Sequence, residues 1–189
     1  MRISGGIAKG RRTATKKLLS CSSKEKQLRP TSSKVREALF DILRDRIDGA
    51  LFVDLYAGTG TVGLEALSRG AKKAVFVEQN YARVRTIQHN VIKLGFQGRA
   101  DIIKGRSCDF IARYAGERVD ICFVDPPYKS DEIDRVLPLI GEKDFLRHHG
   151  VVIVEHFHKK SLPEKVGKVI MKRSYRYGDT MLTVYGKVS

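Results

Sequence analysis

The sequence predicts a mostly parallel α/β sheet with an antiparallel edge near the C-terminus. Short apolar runs alternate with helix-like segments every 20–30 residues. This alternation is typical of parallel strands joined by helices. The last two predicted strands have no long helix between them, so we expect them to pair antiparallel. Acidic side chains or glycines follow several strands, at the edge where such sheets bind ligands.

Each element has its own signal in the sequence. The first helix is predicted from about residue 31 to about residue 47, where apolar residues recur at helical spacing. Its candidate N-caps are Thr31, Ser32 and Ser33. Further helices are predicted at residues 61–69, 84–94, 107–114 and 131–140. Strands are predicted at residues 51–55, 74–77, 100–103, 121–124, 151–154, 167–171 and 181–185.

Basic residues are concentrated at the two ends of the chain. The net charge is +15 in total, with +10 in residues 1–36, +6 in residues 156–189 and −1 between them. Solvated surface residues would explain a scattered charge, but they explain the N-terminal concentration poorly. The pattern therefore favours a polyanionic partner, bound by a basic arm or hairpin at residues 1–30 that precedes one domain at residues 31–189.

Composition argues against several other classes of protein. No apolar run approaches the ~20 residues that span a bilayer, and the basic N-terminus lacks the apolar segment of a secretory signal. The three cysteines are far apart in the sequence and none belongs to a CxxC pair, so neither a disulfide framework nor a zinc knuckle is indicated. The five histidines lack metal-ligand spacing, so no metal is predicted. We expect a cytoplasmic monomer without membrane contact.

A glycine-rich loop follows the first predicted strand. Gly58, Gly60 and Gly63 match GxGxxG, which alone is a weak signal for a dinucleotide site. Glu78 ends the next predicted strand, 18 residues after Gly60. A carboxylate in that position accepts hydrogen bonds from the hydroxyls of a ribose. The pattern predicts a cofactor that contains a nucleoside.

Asp54, at the mouth of this loop, decides between cofactors. Its charge would repel a pyrophosphate and attract a cation. S-adenosylmethionine carries a sulfonium, an ammonium and a ribose but no phosphate, so it fits better than a nicotinamide cofactor. In a purely structural interpretation the glycines form a tight turn and Asp54 caps a helix. That interpretation leaves the position of Glu78 unexplained.

The segment Asp125-Pro126-Pro127-Tyr128 follows the fourth predicted strand and is the most specific signal in the chain. Two adjacent prolines fix the backbone and remove two N–H groups, so the loop presents hydrogen-bond acceptors. The Asp125 carboxylate and the Pro126 carbonyl could accept both N–H bonds of a planar exocyclic amine, and Tyr128 could stack on its base. A plain β-to-α turn would explain neither the tyrosine nor the strand-end position.

These motifs resemble known methyltransferase families. The series Asp54-x-x-x-Gly58-x-Gly60 resembles the first motif of class I S-adenosylmethionine-dependent methyltransferases. The Asp125 segment looks like the Asp/Asn-Pro-Pro-Tyr/Phe motif of enzymes that methylate adenine N6, cytosine N4, guanine N2 or glutamine. Together with other segments they resemble the RsmD family, the bacterial 16S rRNA guanine-N2 methyltransferases. The other segments are residues 3–6, 10–12, 28–31, 35–37, 63–70 and 176–180.

The resemblance implies a Rossmann-like class I methyltransferase with a mostly parallel seven-stranded sheet, an antiparallel C-terminal edge and a short basic arm. It implies methyl transfer to a guanine N2 of 16S rRNA, in the small ribosomal subunit or its assembly intermediate. The residues implied to hold the guanine are Asp125, Pro126, Pro127 and Tyr128. Those implied to hold the cofactor are Asp54, Tyr56, Gly58, Thr59, Gly60, Glu78 and Ser107. Those expected to bind RNA are Arg11, Arg12, Arg29, Lys34 and Arg36.

One loop departs from the family pattern, and three other functions stay open. Gly105-Arg106-Ser107 lacks the acidic or amide residue that often contacts the adenine amine, which leaves Ser107 or Asp109 as the candidate. A DNA adenine-N6 methyltransferase would use the same loop, although 189 residues leave little room for a target-recognition domain. A glutamine methyltransferase usually carries Asn in place of Asp125. A non-catalytic ribosome assembly factor would have no need of the intact motifs.

Overall fold

The structure, a computed structural model, describes residues 2–14, 32–128 and 130–188. Residues 15–31 lie outside the described residues, and with them most of the predicted basic arm and Arg29. The boundary between arm and domain therefore stays a prediction. The α-helices of the described ranges are α1 (Ser33–Ile42), α2 (Thr61–Ser68), α3 (Tyr81–Leu94), α4 (Ser107–Arg113) and α5 (Glu132–Glu142).

The strands of the described ranges form one sheet of eight, in the order β3-β2-β1-β4-β5-β8-β7-β6. Their bounds are β1 (Leu51–Asp54), β2 (Lys73–Glu78), β3 (Ala100–Lys104), β4 (Val119–Val124), β5 (Leu146–Phe157), β6 (Lys165–Val166), β7 (Val169–Tyr177) and β8 (Thr180–Lys187). The first five strands pair in parallel, and β8, β7 and β6 continue the sheet antiparallel. The predicted fold class is confirmed. The sheet has eight strands rather than seven because the two-residue β6 pairs with β7.

Polar strand segments account for the largest differences in element bounds. β5 was predicted at residues 151–154 but begins at Leu146, where pairing with Val119 of β4 extends it through exposed polar residues. β7 was predicted at residues 167–171 but continues to Tyr177 along β8. Backbone pairing holds these segments although hydrophobic alternation does not mark them. In contrast, α1 ends earlier than predicted because a turn follows Ile42.

Helices cover both faces of the sheet. Helices α4 and α5 pack on one face against residues such as Val53 and Val124. Helices α1, α2 and α3 cover the other face, against the phenylalanines Phe52, Phe76 and Phe123. Successive residues of a strand therefore enter different cores, which explains the continuous apolar runs of the parallel strands. This arrangement leaves the carboxyl ends of the strands free to form a site.

Residues 2–14 form a hairpin-like turn that is docked on α2. Arg2 and Arg12 form an antiparallel bridge. The buried carboxylate of Glu65 accepts hydrogen bonds from the backbone N–H and the hydroxyl of Ser4, both at 2.8 Å. Because the carboxylate would be costly to bury without partners, this network fixes the start of the chain on the domain.

Candidate active site

Four acidic side chains lie at or just beyond the carboxyl ends of neighbouring strands. Asp54 ends β1, Glu78 ends β2, Asp125 follows β4 and Glu155 lies near the end of β5. Strand pairing places these ends side by side, since Asp54 lies opposite Phe123 of β4. The edge predicted from the sequence as a ligand site therefore brings together residues from four strands.

The glycine loop between β1 and α2 requires glycine at three positions for different reasons. Gly58 and Gly60 have φ values of 57° and 80°, in the left-handed region that other residues rarely adopt. Gly63 lies inside α2, and a Cβ there would come within 2.3 Å of Cε1 of the buried Phe76. The loop can therefore form, and α2 can pack closely on β2, only with this glycine pattern.

Two carboxylates of the chain already use backbone donors of this loop and of the first turn of α2. Asp54 Oδ2 accepts a hydrogen bond from the Gly63 N–H at 3.3 Å. Glu78 Oε2 accepts one from the Gly58 N–H at 2.9 Å. In a pyrophosphate site such N–H groups would face the ligand. Here the chain supplies their negative partner, which argues against a dinucleotide and in favour of a ligand without phosphate.

Asp54 is almost completely buried, with 2% of its surface exposed. Burial and the nearby charge of Asp125 raise its pKa to about 7, against the opposing effect of the Gly63 N–H. A cation beside Asp54 would offset both the burial and the repulsion. The site is therefore electrostatically suited to a positively charged ligand.

Two further residues of the predicted cofactor site, Tyr56 and Ser107, are held by hydrogen bonds within the protein. The Tyr56 hydroxyl donates to Glu132 Oε2 of α5 at 3.0 Å, and burial raises the pKa of Tyr56. Ser107 is buried and its hydroxyl donates to the Leu55 carbonyl. Ser107 thus fixes the start of α4 beside the loop after β1. Its role as a contact to adenine stays a prediction.

Asn90 is a residue of this site that sequence reasoning missed. It lies on α3 with no exposed surface. Its side-chain amide donates to the Thr59 carbonyl at 3.3 Å and exchanges hydrogen bonds with the backbone of Ala14 at 2.7 and 3.2 Å. One amide therefore connects the glycine loop to the N-terminal segment. No local motif marks Asn90, because its partners are distant in the sequence.

The Asp-Pro-Pro-Tyr loop differs from the glycine loop in its exposure. Pro126 is buried and Asp125 is half-buried, whereas Pro127 and Tyr128 are exposed. Neither proline has an N–H, so the carbonyl oxygens and the Asp125 carboxylate dominate the polar surface of the loop. This loop presents acceptors and one aromatic ring to solvent, next to the site of Asp54.

Tyr128 is held by residues of β5 and β8. Its hydroxyl lies 2.8 Å from Thr180 Oγ1 and 3.3 Å from Glu155 Oε1, and its ring centroid lies 6.2 Å from that of Phe157. Burial is the main cause that raises the pKa of Tyr128 to about 12. Tyr128 is therefore neutral near pH 7 and cannot act as a base there. No pattern in the sequence predicts Thr180 as its partner.

The predicted RNA-binding residues are in different environments. Arg12 and Lys34 are exposed. Arg11 is exposed too, but its guanidinium donates to the carbonyls of Lys93 and Leu94 at 2.5 and 3.2 Å, at the end of α3. Such contacts satisfy carbonyls that the helix leaves free. RNA binding by all three residues, and by Arg29 outside the described residues, stays a prediction.

Arg36 has an internal partner instead of an open surface. It is 2% exposed, and its Nε lies 3.7 Å from Oε2 of the fully buried Glu65. Its guanidinium also donates to the Arg2 carbonyl at 3.3 Å. Burial lowers the pKa of Arg36. A guanidinium in this position ties α1 to α2 and cannot reach a phosphate without leaving Glu65, so the contacts indicate a structural role.

The described ranges contain no group of three or more His, Cys, Asp or Glu side chains that could hold a metal ion. Among the same residues, no helix is both long and apolar enough to cross a membrane.

Comparisons with known proteins agree with this architecture. The chain matches the family described as "Conserved hypothetical protein 95" over residues 1–186. It is 33% identical to the Bacillus subtilis "Putative rRNA methyltransferase YlbH" over 189 residues, 99% of each chain. It is 34% identical to "Ribosomal RNA small subunit methyltransferase D" of Escherichia coli K12 over 136 residues, 72% of this chain and 68% of the relative. The solved structure of "Putative methyltransferase yhhF" from Escherichia coli has a TM-score of 0.83 at 28% identity, covering 100% of this chain and 98% of the other.

The fold and the strand-end site define the class of Rossmann-like methyltransferases. The chain belongs to the conserved hypothetical protein 95 family, and its resemblance to the RsmD family is confirmed.

Proposed function

We propose that this protein transfers a methyl group from S-adenosylmethionine to the exocyclic N2 of a guanine in 16S rRNA of the small ribosomal subunit. One observation carries the proposal: the glycine loop and the Asp-Pro-Pro-Tyr loop leave adjacent, paired strands at the same edge of the sheet. The glycine loop follows β1 and the second loop follows β4. A donor in the first and an amine in the second would be neighbours, as group transfer requires.

The residues around the glycine loop fit S-adenosylmethionine. Glu78 uses one acceptor position on each oxygen for backbone N–H groups, and a carboxylate has further lone pairs for ribose hydroxyls. Asp54 would stabilise the positive charge of the ligand. A Cβ added to Gly58 would lie 4.0 Å from its nearest protein atom, so glycine there keeps space open beside the loop. When bound, this ligand supplies an electrophilic methyl group on a sulfonium.

The other members of the proposed cofactor site would complete its walls. They are Tyr56, Thr59, Gly60 and Ser107. Tyr56 and Ser107 are anchored by Glu132 and by the Leu55 carbonyl, so they present fixed surfaces to a ligand. This rigidity lowers the entropic cost of binding.

The second loop fits an exocyclic amine. The carboxylate of Asp125 and the carbonyl of Pro126 would accept the two N2–H bonds of a guanine, while Pro127 holds the loop in shape. Alkylation would form a bond from N2 to the methyl carbon as the bond from that carbon to sulfur breaks. The Asp125 carboxylate would stabilise the positive charge that develops on N2, until one N2 proton leaves for solvent. The half-exposed ring of Tyr128 would stack on the base, which is worth about 1–3 kcal/mol. A paired guanine would first leave its helix.

The choice of rRNA is supported by charge and by relatives. The chain has a net charge of +15, concentrated at its ends, and phosphate contacts would make binding depend on salt. Two relatives named above carry rRNA in their names. We therefore propose the small subunit or its assembly intermediate as the partner, with the enzyme acting as a cytoplasmic monomer.

Label transfer from methyl-labelled S-adenosylmethionine tests the proposal. Unmethylated small subunits, naked 16S rRNA and duplex DNA are offered in parallel and digested to nucleosides. We expect label in N2-methylguanosine from subunits or rRNA. Label in N6-methyladenine from DNA would support the rival enzyme, and tight subunit binding without any label would support an assembly factor; either result contradicts the proposal.

Asp125→Ala provides the matching test of the site. We expect turnover to fall by at least about a hundredfold, because the charge beside N2 is lost, while subunit binding survives. Asp45→Ala is the control, since Asp45 is an exposed acid on the turn after α1. Near wild-type turnover in Asp125→Ala would overturn the catalytic assignment.

A further inference from the structure

We propose that Thr180, at the start of β8, is a positioning residue that sets the orientation of the catalytic Tyr128. The inference rests on the proposed function, since it concerns the acceptor side of the same site. Thr180 Oγ1 lies 2.8 Å from Tyr128 Oη, although the two residues are 52 positions apart. No sequence motif connects them, and the contact exists only because the end of the β7–β8 hairpin reaches the Asp-Pro-Pro-Tyr loop.

The direction of the hydrogen bonds follows from the partners. The Tyr128 hydroxyl donates its one proton to Glu155 Oε1 at 3.3 Å. The Tyr128 oxygen is then the acceptor, and Thr180 is the donor. Since the pKa of Tyr128 is about 12, the proton stays on the tyrosine at physiological pH. The hydroxyl of Thr180 thus supplies a hydrogen-bond donor to the Tyr128 oxygen, and a methyl group in its place would not.

Thr180 is itself held firmly. It pairs with Phe157 of β5 on one side and with Tyr177 of β7 on the other. The turn before it is fastened by a hydrogen bond from the His158 N–H to the Asp179 carbonyl at 2.9 Å. Its hydroxyl is therefore presented from a fixed backbone between two strands.

Tyr128, by contrast, lies in a turn outside every helix and strand. The residue is 37% exposed, and its ring packs beside Phe157. Without the hydroxyl contacts, little in the described structure would fix the plane of the ring. Because stacking needs a defined plane, and misplaced groups lose much of their catalytic effect, Thr180 would act on methyl transfer through Tyr128.

The first test compares Thr180→Val with Thr180→Ser. Valine keeps the shape but removes the donor, so we expect kcat to fall about fivefold to twentyfold with the KM for S-adenosylmethionine unchanged. Serine keeps the donor and should restore most of kcat. Thr183→Val is the matched control: it is the same change on the same strand, but the Thr183 hydroxyl bonds to His156 and Ser174. Thr183→Val should keep a kcat near that of the wild type, and an equal loss of kcat in both variants would overturn the inference.

A double-mutant cycle tests whether the effect passes through the tyrosine hydroxyl. Tyr128→Phe keeps the ring but removes the atom that Thr180 contacts. Thr180→Val should therefore cost no further kcat in the Tyr128→Phe background. If the two losses multiplied, Thr180 would act by another route and the inference would be wrong.

A measurement that needs no turnover separates this inference from the proposed function. In NMR spectra of protein with ¹³C-labelled tyrosine rings, the signal of Tyr128 is the one of seven that is lost in Tyr128→Phe. We expect Thr180→Val to shift or broaden that signal and Thr183→Val to leave it unchanged. An unmoved Tyr128 signal in Thr180→Val would overturn the inference even if methyl transfer were confirmed. A shifted signal would support it even if no methylated nucleoside were found.

Discussion

The proposed cofactor side and the proposed acceptor side of the site are built in different ways. On the cofactor side, Asp54 and Glu78 are 2% and 6% exposed, and their loop partners lie 9 and 20 residues away in the chain. On the acceptor side, Tyr128 is 37% exposed, and the partners of its hydroxyl lie 27 and 52 residues away. The proposed cofactor side is therefore buried and held by residues close in the sequence. The proposed acceptor side is exposed and held by residues far apart in the sequence.

This difference fits the sizes of the two proposed ligands. A small cofactor can be enclosed by a preformed loop whose charges are already arranged. A base that belongs to a large RNA can bind only at a site that is accessible from solvent. Such a site must lie at the protein surface and is formed by the strands that end there. The antiparallel edge formed by β8 and β7 supplies that surface here.

The largest effect on stability is expected for Gly63→Ala, which changes the packing on the buried cofactor side. The new Cβ would come within 2.3 Å of Phe76 Cε1, so α2 must move from β2 or the ring must leave its rotamer. We expect a loss of about 1–3 kcal/mol in the free energy of unfolding, measured by urea denaturation. Gly98→Ala is the control, because nothing lies within 4 Å of its added Cβ. Equal stability of the two variants would show that close packing at Gly63 is unimportant.

A pH effect is expected from Asp54. Its folded pKa of about 7 lies above the ordinary value of 3.8, so the unliganded protein loses stability from this group as pH rises through about 7. Binding of a cation favours the ionised form, so affinity for S-adenosylmethionine should rise with pH up to about 7 and then level off. Calorimetric titrations at several pH values measure this.

Asp54→Asn sharpens the same prediction. Asparagine keeps the size of the side chain but carries no charge, so the rise in affinity between about pH 6 and pH 8 should disappear. A wild-type affinity that is flat over this range, or a variant that keeps the rise, would contradict the role of Asp54.

The smallest effect is expected at the exposed surface. Arg12→Ala should weaken rRNA binding and lower the slope of log affinity against log salt by about one. Arg36→Ala should leave that slope unchanged but reduce stability, because Glu65 loses a buried cationic neighbour. Filter binding at several salt concentrations and thermal unfolding separate the two. A changed slope for Arg36 alone would reverse the assignment.

Local sequence patterns predicted where the glycine loop, Asp54 and Glu78 lie in the fold. The glycines, Asp54 and Glu78 are recognisable because each follows a strand at a fixed spacing, and the Asp-Pro-Pro-Tyr loop is recognisable because two prolines restrict it. The sheet class followed from the alternation of apolar runs. These features depend on neighbours in the chain, which a sequence displays directly.

The remaining features depend on contacts between distant residues. Thr180 lies in a segment that resembles the RsmD family, but its contact with Tyr128 exists only in the folded sheet. Asn90 gains its contacts only when the N-terminal segment docks. The burial of Arg36 was missed because charge counting cannot distinguish a solvated arginine from one paired with Glu65. The length of β7 was missed because its polar residues carry no hydrophobic alternation.

Calorimetric binding of S-adenosylmethionine to the wild type, Glu78→Gln and Asp125→Ala tests most directly whether the two sides are separate. Glutamine removes the charge and one acceptor of Glu78, so binding should weaken by about tenfold or more. Asp125→Ala should bind within about twofold of the wild type or more tightly, because losing the charge of Asp125 favours ionised Asp54. Loss of binding in Asp125→Ala together with unchanged binding in Glu78→Gln would contradict the account.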